Sequence, residues 1–575
     1  MLEIGTTRRG RTVWLTDAER ARHIHILGAI GTGKSKLLES MIRQDIARGR
    51  GLCLIDPHGT LADHIEEWCA TKGLGRIRRI HLIRPGDESF VPGFNPLRAV
   101  PGEALSVRVD AMVAACAQAW GVRDMSETPR LEKILRATFY ALAVRNLTLA
   151  EAPALLRARD PEGVRRLLTE NLPDPVFQII WDELNAMGRK DFIDHVESTI
   201  TRLSKFLAAP AMRLVVGQRE HAIDFRKAMD NSEIVLVNLG ARHAFSYENA
   251  RVLGTLLIND LFLTALGRDE AVARKRPFTL YVDEAYDFLS GDIERILDQT
   301  RKFGLHTVLA HQRIGQLKER GEGIYNAVMS GTQTKIVLGG LSDDDSEIMA
   351  REIMRGDIDL ERPKMGITMP VVVDEDPFWL ESENLSEGSS TTRTVSESFS
   401  TTETAGMSAG TGEMFDAFEG TEPRLRGSVE SLSETSSSAT TTGATVSEGY
   451  VTSSGRTFGR SQALRSRREE RPTQFYSLEE SLHLAQLKLR NLPDRVAIVK
   501  RRGKRTVRVT TNEVKDVLKI PRATSRLRTL VAERSTYLAP ILVAQSEIEE
   551  RQKGLSVATA NGTLDGDKSF WQEEE

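Results

Sequence analysis

The sequence is poor in cysteine and in long apolar runs. It holds 3 cysteines among 575 residues and no Cys-x-x-Cys pair, which argues against a disulfide scaffold and against a zinc site built on thiolates. No apolar run approaches the roughly 18–20 residues that a membrane helix needs, and the first residues lack the apolar core of a signal peptide. The sequence therefore predicts a cytoplasmic protein with no integral membrane segment.

An excess of charge of one sign is also missing. Lys and Arg total 78 against 81 Asp and Glu, for a formal net charge of −3. This balance argues against a protein that coats nucleic acid through bulk charge, but it leaves room for a local basic channel. Hydrophobic residues make up 40% of the chain, so most of it is able to bury a core.

The composition changes sharply near residue 381. In residues 381–460, roughly 40% of the positions are Ser or Thr, Lys is absent and apolar residues are scattered singly. Such a segment buries too little surface to offset its ordering entropy, so we expect a disordered, flexible linker. The alternative is a Ser/Thr-rich β structure, because VSESFS and ATVSEGYVTSS alternate weakly.

Before this segment, short apolar runs alternate with helical stretches. The alternation predicts an α/β fold with a doubly wound, mostly parallel sheet. The runs are HIHIL at 23–27, LCLI at 52–55, IHLI at 80–83, IVLVNL at 234–239, FTLYV at 278–282, HTVLA at 306–310 and KIVL at 335–338.

Two further regions complete the predicted organisation. Residues 103–226 have helical periodicity and little strand character, so we expect an all-helical insertion into the sheet domain, which is formed by residues 1–102 and 227–380. Residues 461–575 contain a helical stretch that ends near 491–493 and a hairpin that turns at Gly503. They predict a small C-terminal α+β accessory region.

Residues 28–35, GAIGTGKS, satisfy the phosphate-binding pattern G-x-x-x-x-G-K-[ST] between a strand and a helix. The glycines let the backbone curl so that its N–H groups surround phosphate oxygens. Lys34 is expected to reach the β- and γ-phosphates, and the Ser35 hydroxyl to coordinate Mg²⁺. The predicted nucleotide-binding residues are Gly28, Gly31, Thr32, Gly33, Lys34 and Ser35.

An acidic pair, Asp283 and Glu284, follows the apolar run FTLYV. We expect Asp283 beside the Mg²⁺ and Glu284 placed to polarise the attacking water as general base. A water-activating base favours hydrolysis over transfer to a small metabolite. ATP is preferred to GTP because no N-K-x-D guanine motif is present.

Two more residues are candidates on position alone. Gln312 ends the strand that follows the acidic pair. In doubly wound sheets the carboxyl ends of the strands face the ligand crevice. The Gln312 amide is therefore placed to sense the γ-phosphate or to orient water. Arg301 lies in the last helical turn before Gly304, where it is suited either to catalysis or simply to complementing the helix dipole.

Five segments together resemble the FtsK–HerA superfamily of hexameric P-loop motors. The greatest similarity is to TraG/TraD-type coupling proteins of conjugative type IV secretion, with HerA-like ATPases next, and it covers roughly residues 1–375. The segments are HILGAIGTGKS at 25–35, GLCLIDPHG at 51–59, GFNPL at 93–97, LYVDEA at 280–285 and RKFGLHTVLAHQ at 301–312.

The resemblance implies a RecA-like fold and a ring, most simply a homo-hexamer, with ATP and Mg²⁺ at the subunit boundaries. It implies that Arg301 acts on the neighbour's nucleotide and that Gln312 couples nucleotide state to DNA movement. It further implies DNA, a relaxosome and type IV secretion components as partners, with a location in the cytoplasm or at the periphery of the inner membrane.

Departures from the family leave other functions open. Coupling proteins usually carry N-terminal membrane helices, which this sequence does not show. They also often have an arginine after the strand that corresponds to residues 335–338, where this sequence has Gly339 and Gly340. One alternative is a HerA-like translocase that works with a nuclease or defence effector, and another is a nucleotide-ordered scaffold without translocation. The basic run at 500–505 is either a DNA or relaxosome contact or a solvated turn.

Overall fold

The structure is a computed structural model that describes most of the chain in two compact units. The described residues are 1–98, 100, 103–122, 127–160, 163–240, 244–289, 293–358, 363–372, 378–392, 400–416, 424–441, 449–463, 466–517 and 520–560. The first unit comprises Met1–Ile358 and the described residues from Glu479 onward, and the second comprises the described residues of Asp359–Leu478.

Seven of the strands match the seven predicted apolar runs to within one residue at each end. In chain order they are β1 (Leu2–Thr6), β2 (Thr12–Leu15), β3 (Ile24–Leu27), β4 (Gly51–Asp56), β5 (Ile80–Ile83), β6 (Phe90–Pro92), β7 (Ile234–Asn238), β8 (Phe278–Val282), β9 (Leu305–His311), β10 (Thr334–Leu338), β11 (Pro363–Val372), β12 (Phe378–Thr392), β13 (Ser400–Asp416), β14 (Arg424–Thr441), β15 (Gly449–Ala463), β16 (Ser466–Phe475), β17 (Val496–Arg501), β18 (Val507–Thr511) and β19 (Leu538–Pro540).

Helices separate most of these strands. They are α1 (Asp17–Arg20), α2 (Lys34–Ala47), α3 (Thr60–Thr71), α4 (Leu105–Ala119), α5 (Pro129–Val144), α6 (Ala152–Leu155), α7 (Val164–Thr169), α8 (Pro175–Ala186), α9 (Arg189–Leu207), α10 (Pro210–Val216), α11 (Phe225–Asp230), α12 (Tyr247–Leu266), α13 (Glu270–Lys275), α14 (Ile293–Thr300), α15 (Ile314–Arg320), α16 (Glu322–Gly331), α17 (Asp343–Met349), α18 (Leu478–Arg490), α19 (Pro521–Arg534) and α20 (Ile541–Ala560). Short 3-10 turns occupy Leu74–Arg76, Leu149–Glu151, Ala285–Asp287 and Arg355–Asp357, and a π turn occupies Ala350–Met354.

The first unit is built on one eleven-stranded sheet in the order β2-β1-β18-β17-β10-β3-β9-β8-β4-β7-β5. The seven strands from β10 to β5 run parallel, and the remaining pairs are antiparallel. Strand β4 is covered on both faces. Leu52 and Leu54 pack into one core, and Cys53 and Ile55 pack into another. A parallel strand covered on both faces requires an unbroken apolar run. The predicted doubly wound sheet is confirmed.

The described residues of 103–226 contain helices α4 to α10 and no strand. Their core is continuous with one face of the main sheet. At its centre the buried Trp181 donates its indole N–H to the carbonyl of Ala137 at 3.1 Å, so the polar atom of this large side chain is satisfied. The helical character of the insertion is therefore as expected from the sequence.

The C-terminal residues complete the first unit, although the sequence suggests a separate accessory region. The hairpin turns at Gly503 as expected, but β17 pairs with β10 and β18 pairs with β1, so both strands belong to the main sheet. Helix α20 continues onto the insertion, where Arg551 bonds to the buried Glu151 at 2.9 Å. The unpaired edge of β10 requires a partner strand, and this hairpin supplies it.

The second unit consists of antiparallel strands. Strands β11 and β16 form one pair, and β12, β15, β14 and β13 form a four-stranded sheet in that order. The described residues of 381–460 are thus extended and paired, as in the Ser/Thr-rich β alternative, while a linker bounded at 381 and 460 stays a prediction. Threonine and valine favour strands, and backbone pairing needs no apolar side chain.

The three cysteines all lie in the first unit. Cys53, Cys69 and Cys116 are all buried free thiols. Burial raises the pKa of the Cys69 and Cys116 thiols to about 12, which leaves them protonated and unreactive. Within the described ranges, no helix has the length and apolarity needed to span a bilayer.

Candidate active site

The predicted phosphate-binding loop lies between β3 and α2, at the carboxyl edge of the sheet. Gly31 and Gly33 have φ of +84° and +100°, a region that favours glycine. The Thr32 hydroxyl donates to the Ala29 carbonyl at 2.8 Å and holds the turn closed. Helix α2 begins at Lys34 without a side-chain cap, so its first N–H groups are available to an anion.

The Lys34 ammonium meets the acidic pair inside this edge of the sheet. Its Nζ lies 2.5 Å from Oε1 of Glu284 and 3.6 Å from Oδ1 of Asp283, and all three side chains are buried. Lys34 and Glu284 are 250 positions apart in the chain, so the fold alone unites them. The parallel strands β3 and β8 make this possible because each carries its functional residue just beyond its carboxyl end.

The backbone of Glu284 is held in an unusual conformation. Its φ of +47° lies in the left-handed region, which costs a non-glycine residue of order 1 kcal/mol or more. Its N–H donates to Oδ1 of Asp283 at 3.1 Å, and its second carboxylate oxygen, Oε2, is buried without a hydrogen-bond partner among the described residues. A strained residue with an unsatisfied oxygen is an acceptor ready for a water or another donor.

Asp283 is poised to change its protonation state. Burial raises its pKa to about 6, with further increases from the charges of Glu284 and Asp56, while the Lys34 ammonium opposes the shift. A bound cation would favour the ionised form in the same way as Lys34 does. The Asp283 carboxyl group therefore suits a metal-binding position better than an apolar core.

Gln312 is joined to the same cluster. It follows β9 directly, and its Nε2 donates to Oε1 of Glu284 at 2.8 Å. The amide thus fixes the orientation of the Glu284 carboxylate. Its position at the end of the strand next to β8 is the one expected from the sequence.

The Mg²⁺ ligands proposed from the sequence offer the oxygen donors that this ion prefers. Ser35 lies in the first turn of α2 with its side chain exposed, and Asp283 supplies a carboxylate. The donor set fits an ion held by one hydroxyl, one carboxylate and the substrate's phosphates, since Mg²⁺ keeps few protein ligands.

Arg301 is not brought to this cluster within one chain. It lies before the amino end of β9, whereas Gln312 lies after the carboxyl end, and the seven residues of the strand span about 20 Å. Arg301 is exposed and lines an open cavity of about 880 Å³ together with Lys302, Arg274 and Lys275. This opposite edge of the sheet carries a concentration of positive charge.

Two features of the site escape the sequence analysis. Asp56, at the end of β4, accepts the N–H groups of His58 and Ala62, each at 2.9 Å, and it raises the pKa of Asp283. The Arg495 N–H donates to the carbonyl of Thr32 at 2.9 Å. Arg495 follows the long Ser/Thr-rich segment by more than thirty positions, so no local pattern places it on the loop.

The basic run at 500–505 is largely neutralised by neighbouring acidic groups. Lys500 lies 3.2 Å from a carboxylate oxygen of Asp357, and Lys504 lies 2.9 Å from one of Glu19. Arg502 donates to the side chain of Gln333. These contacts favour the structural alternative for the hairpin turn.

Comparison with known proteins supports the resemblance seen in the sequence. Residues 270–382 match the family model described as the type IV secretion-system coupling protein DNA-binding domain. This range contains Asp283, Glu284, Arg301 and Gln312. The predicted resemblance to type IV secretion coupling proteins is confirmed over this range.

Several solved structures are similar to the chain. The plasmid coupling protein TrwB with a non-hydrolysable ATP analogue is 15% identical, with a TM-score of 0.49, over 91% of this chain and 96% of that one. TrwB with ADP and Mg²⁺ is 14% identical, with a TM-score of 0.47, over 90% and 91%. VirB4 of Thermoanaerobacter pseudethanolicus is 17% identical, with a TM-score of 0.40, over 61% and 87%. No curated protein matches the chain.

Proposed function

We propose that this chain is an ATP-hydrolysing, ring-forming motor that translocates DNA in conjugative transfer, as a coupling-protein-like ATPase. The observation that carries the proposal is the convergence of Lys34, Glu284 and Gln312 at the carboxyl edge of a parallel sheet. A phosphate-binding loop beside a buried general base is the arrangement that nucleotide hydrolysis requires.

ATP with Mg²⁺ is the nucleotide state that fits this edge. Of the solved TrwB structures similar to this chain, one contains ADP with Mg²⁺, one a non-hydrolysable analogue of ATP and one a non-hydrolysable analogue of GTP. In this chain the glycines at 28–33 and the start of α2 would hold the phosphates, while Ser35 and Asp283 would hold Mg²⁺. When bound, Mg²⁺ would neutralise the negative charge that develops on the phosphates during hydrolysis.

Nucleotide binding would also release the catalytic base. In the structure, Lys34 is paired with Glu284, which leaves that carboxylate occupied. The β- and γ-phosphates compete for the Lys34 ammonium, since they carry more charge than one carboxylate. Once freed, Glu284 accepts a proton from water while the water oxygen bonds to the γ-phosphorus and the bond from that phosphorus to the β-phosphate oxygen breaks. Gln312 keeps the carboxylate in position during this step.

A ring would supply the arginine that the single chain lacks. Arg301 is exposed at the edge opposite the nucleotide, so a neighbouring copy is the means by which it reaches a γ-phosphate. Arginine delivered in trans stabilises the transition-state charge. We propose a homo-hexamer that acts in the cytoplasm or at the periphery of the inner membrane. Its expected partners are DNA, the relaxosome and secretion components.

The decisive experiment measures phosphate release with single-stranded DNA, with double-stranded DNA and without DNA. The motor is expected to hydrolyse ATP and to do so faster with at least one form of DNA. A wild-type chain that binds ATP but never releases phosphate would instead be a nucleotide-ordered scaffold.

The Glu284→Gln variant identifies the base. We expect it to bind a fluorescent ATP analogue with an affinity within a few-fold of wild type, because the amide keeps the shape and removes only the charge. Its turnover should fall by about 10²-fold or more, since general-base catalysis contributes on that scale. Substantial phosphate release by this variant would remove Glu284 from the role. Glu533→Gln, which changes an exposed carboxylate on α19, serves as the control.

A further inference from the structure

A second polar cavity, of about 490 Å³, lies between the helical insertion and the helices that follow the catalytic strands. It is lined by Gln118 at the end of α4, Arg251 on α12, Tyr286 in the turn after β8, and Gln316 and Arg320 on α15. Each of these residues lies in the first unit. No step of the proposed hydrolysis uses them.

Arg251 is the unusual member of this lining. Its Nε is buried and has no hydrogen-bond partner among the described residues, and no ion pair joins its guanidinium to a described carboxylate. Burial lowers the pKa of Arg251, and the nearby charge of Arg320 lowers it further. A half-buried cation that lies beside a like charge and has no ion-pair partner lowers the stability of the folded chain. Proteins usually retain such unfavourable groups where a ligand binds.

Asp287 and Glu248 attract the Arg251 guanidinium electrostatically, but neither forms an ion pair with it among the described residues. Asp287 lies 3.2 Å from Arg320 and also accepts the hydroxyl hydrogen of Tyr247. Glu248 is bonded to Lys205 at 2.5 Å, outside the cavity lining. Glu319 lies at the exposed rim. Asp287 and Glu248 therefore have other cationic partners, and the guanidinium of Arg251 is left available to an incoming anion.

We propose that Arg251 and Arg320 bind a backbone phosphate of DNA in this cavity. The planar fork of a guanidinium matches phosphate oxygens, and the amides of Gln118 and Gln316 add neutral donors nearby. The proposal rests on the proposed function, because Tyr286, Gln316 and Arg320 fall within the range that matches a DNA-binding domain model.

The location gives the site a consequence for hydrolysis. Tyr286 is two residues beyond Glu284, and α15 begins two residues beyond Gln312. A phosphate bound between Arg251 and Arg320 would thus contact the two segments that carry Glu284 and Gln312, and would change the positions of these side chains. DNA binding in this cavity is a direct route to stimulation of the ATPase.

The test is the salt dependence of affinity for a fluorescein-labelled oligonucleotide, measured by anisotropy on the full chain. Arg251→Gln should weaken binding about tenfold at moderate salt and reduce the slope of log K against log[salt] by about one, because one phosphate contact is lost. Arg251→Lys, which keeps the charge, should retain most of the slope. Arg189→Gln removes an exposed charge on α9 and should change neither quantity.

Stability and the wild-type control separate the possible outcomes. Arg251→Gln should melt at the wild-type temperature or above it, because its removal relieves repulsion with Arg320. Unchanged affinity and slope in Arg251→Gln would overturn the phosphate site even if wild type binds DNA well. Failure of the wild-type chain itself to bind DNA would instead overturn the proposed function.

Discussion

At the scale of single residues, the site is defined by competition for a few charges. Lys34 bonds to Glu284 at 2.5 Å, although hydrolysis would need the ammonium on phosphate and the carboxylate on water. The orphaned Oε2 of Glu284 and the raised pKa of Asp283 have the same origin, since both carboxylates are buried with a single neutralising lysine. The acidic pair is thus costly to the folded chain until a ligand arrives.

Asp283→Asn tests this cost through its pH dependence. Burial raises the pKa of Asp283 in the folded chain to about 6 from 3.8, so the folded state binds this proton more tightly than the unfolded state. Ionised Asp283 therefore destabilises the fold above pH 6, and the penalty disappears as the pH falls from 6 towards 4. The variant should be more stable than wild type at pH 8, by about 1–3 kcal/mol, and similar to it at pH 4.

Thermal melting across this pH range, without nucleotide, measures the difference. Asp344→Asn removes an exposed carboxylate on α17 and should show no comparable pH-dependent gain. If Asp283→Asn were equally or less stable than wild type at pH 8, the aspartate would not carry a buried, unfavourable charge.

At the scale of elements, the loop between β3 and α2 is built against the C-terminal part of the chain. The Thr32 carbonyl accepts the Arg495 N–H, and a Cβ on Gly33 would lie 3.4 Å from Cγ of Arg495. On the other side, a Cβ on Gly340 would lie 2.8 Å from that of Ala29. The phosphate-binding loop therefore contacts residues that precede the second unit in the sequence, such as Gly340, and residues that follow it, such as Arg495.

Gly33→Ala is expected to impair nucleotide binding by tenfold or more. Its φ of +100° lies outside the range that alanine adopts easily, and the new methyl group would press on Arg495. Binding of a fluorescent ATP analogue measures the loss. Gly323→Ala is the matched control, because it lies in α16 with open space around it and should leave binding unchanged. Equal affinity in both variants would contradict the role of the strained glycine.

At the scale of the whole molecule, the first unit has two functional edges. The carboxyl edge of the sheet holds the acidic cluster with Lys34, and the amino edge holds the basic cavity with Arg301. In the proposed ring, a polyanionic nucleotide on one edge would complement the positive charge on the other edge of a second copy. Head-to-tail contacts of this kind form a ring when the rotation between copies closes.

Mixing wild-type chains with Arg301→Ala chains tests such a ring. If Arg301 acts on the neighbour's nucleotide, ATPase activity should fall more than in proportion to the mutant fraction, because each mutant chain impairs an adjacent intact site. The measurement is phosphate release at constant total protein. Arg189→Ala provides a control for loss of an exposed arginine. A linear decline with Arg301→Ala would contradict action across an interface.

The sequence by itself predicted the parallel sheet, the loop at 28–35 and the acidic pair, since all three depend on local patterns. Continuous apolar runs mark strands covered on both faces, and a glycine-rich turn before a helix marks a phosphate site. The same local reasoning did not predict how the strands of residues 381–460 pair, or that the C-terminal hairpin joins the main sheet. Their pairing depends on which strand edges are open elsewhere in the molecule, and composition does not contain that information.

Only the tertiary structure decided which charges meet. It joined Lys34 to Glu284 across 250 positions, placed Arg495 on the loop, separated Arg301 from the cluster and left Arg251 beside Arg320. Local patterns arise from interactions between near neighbours along the chain. Contacts between distant side chains arise only after helices and strands have packed, because packing sets the distances on which electrostatic interactions depend.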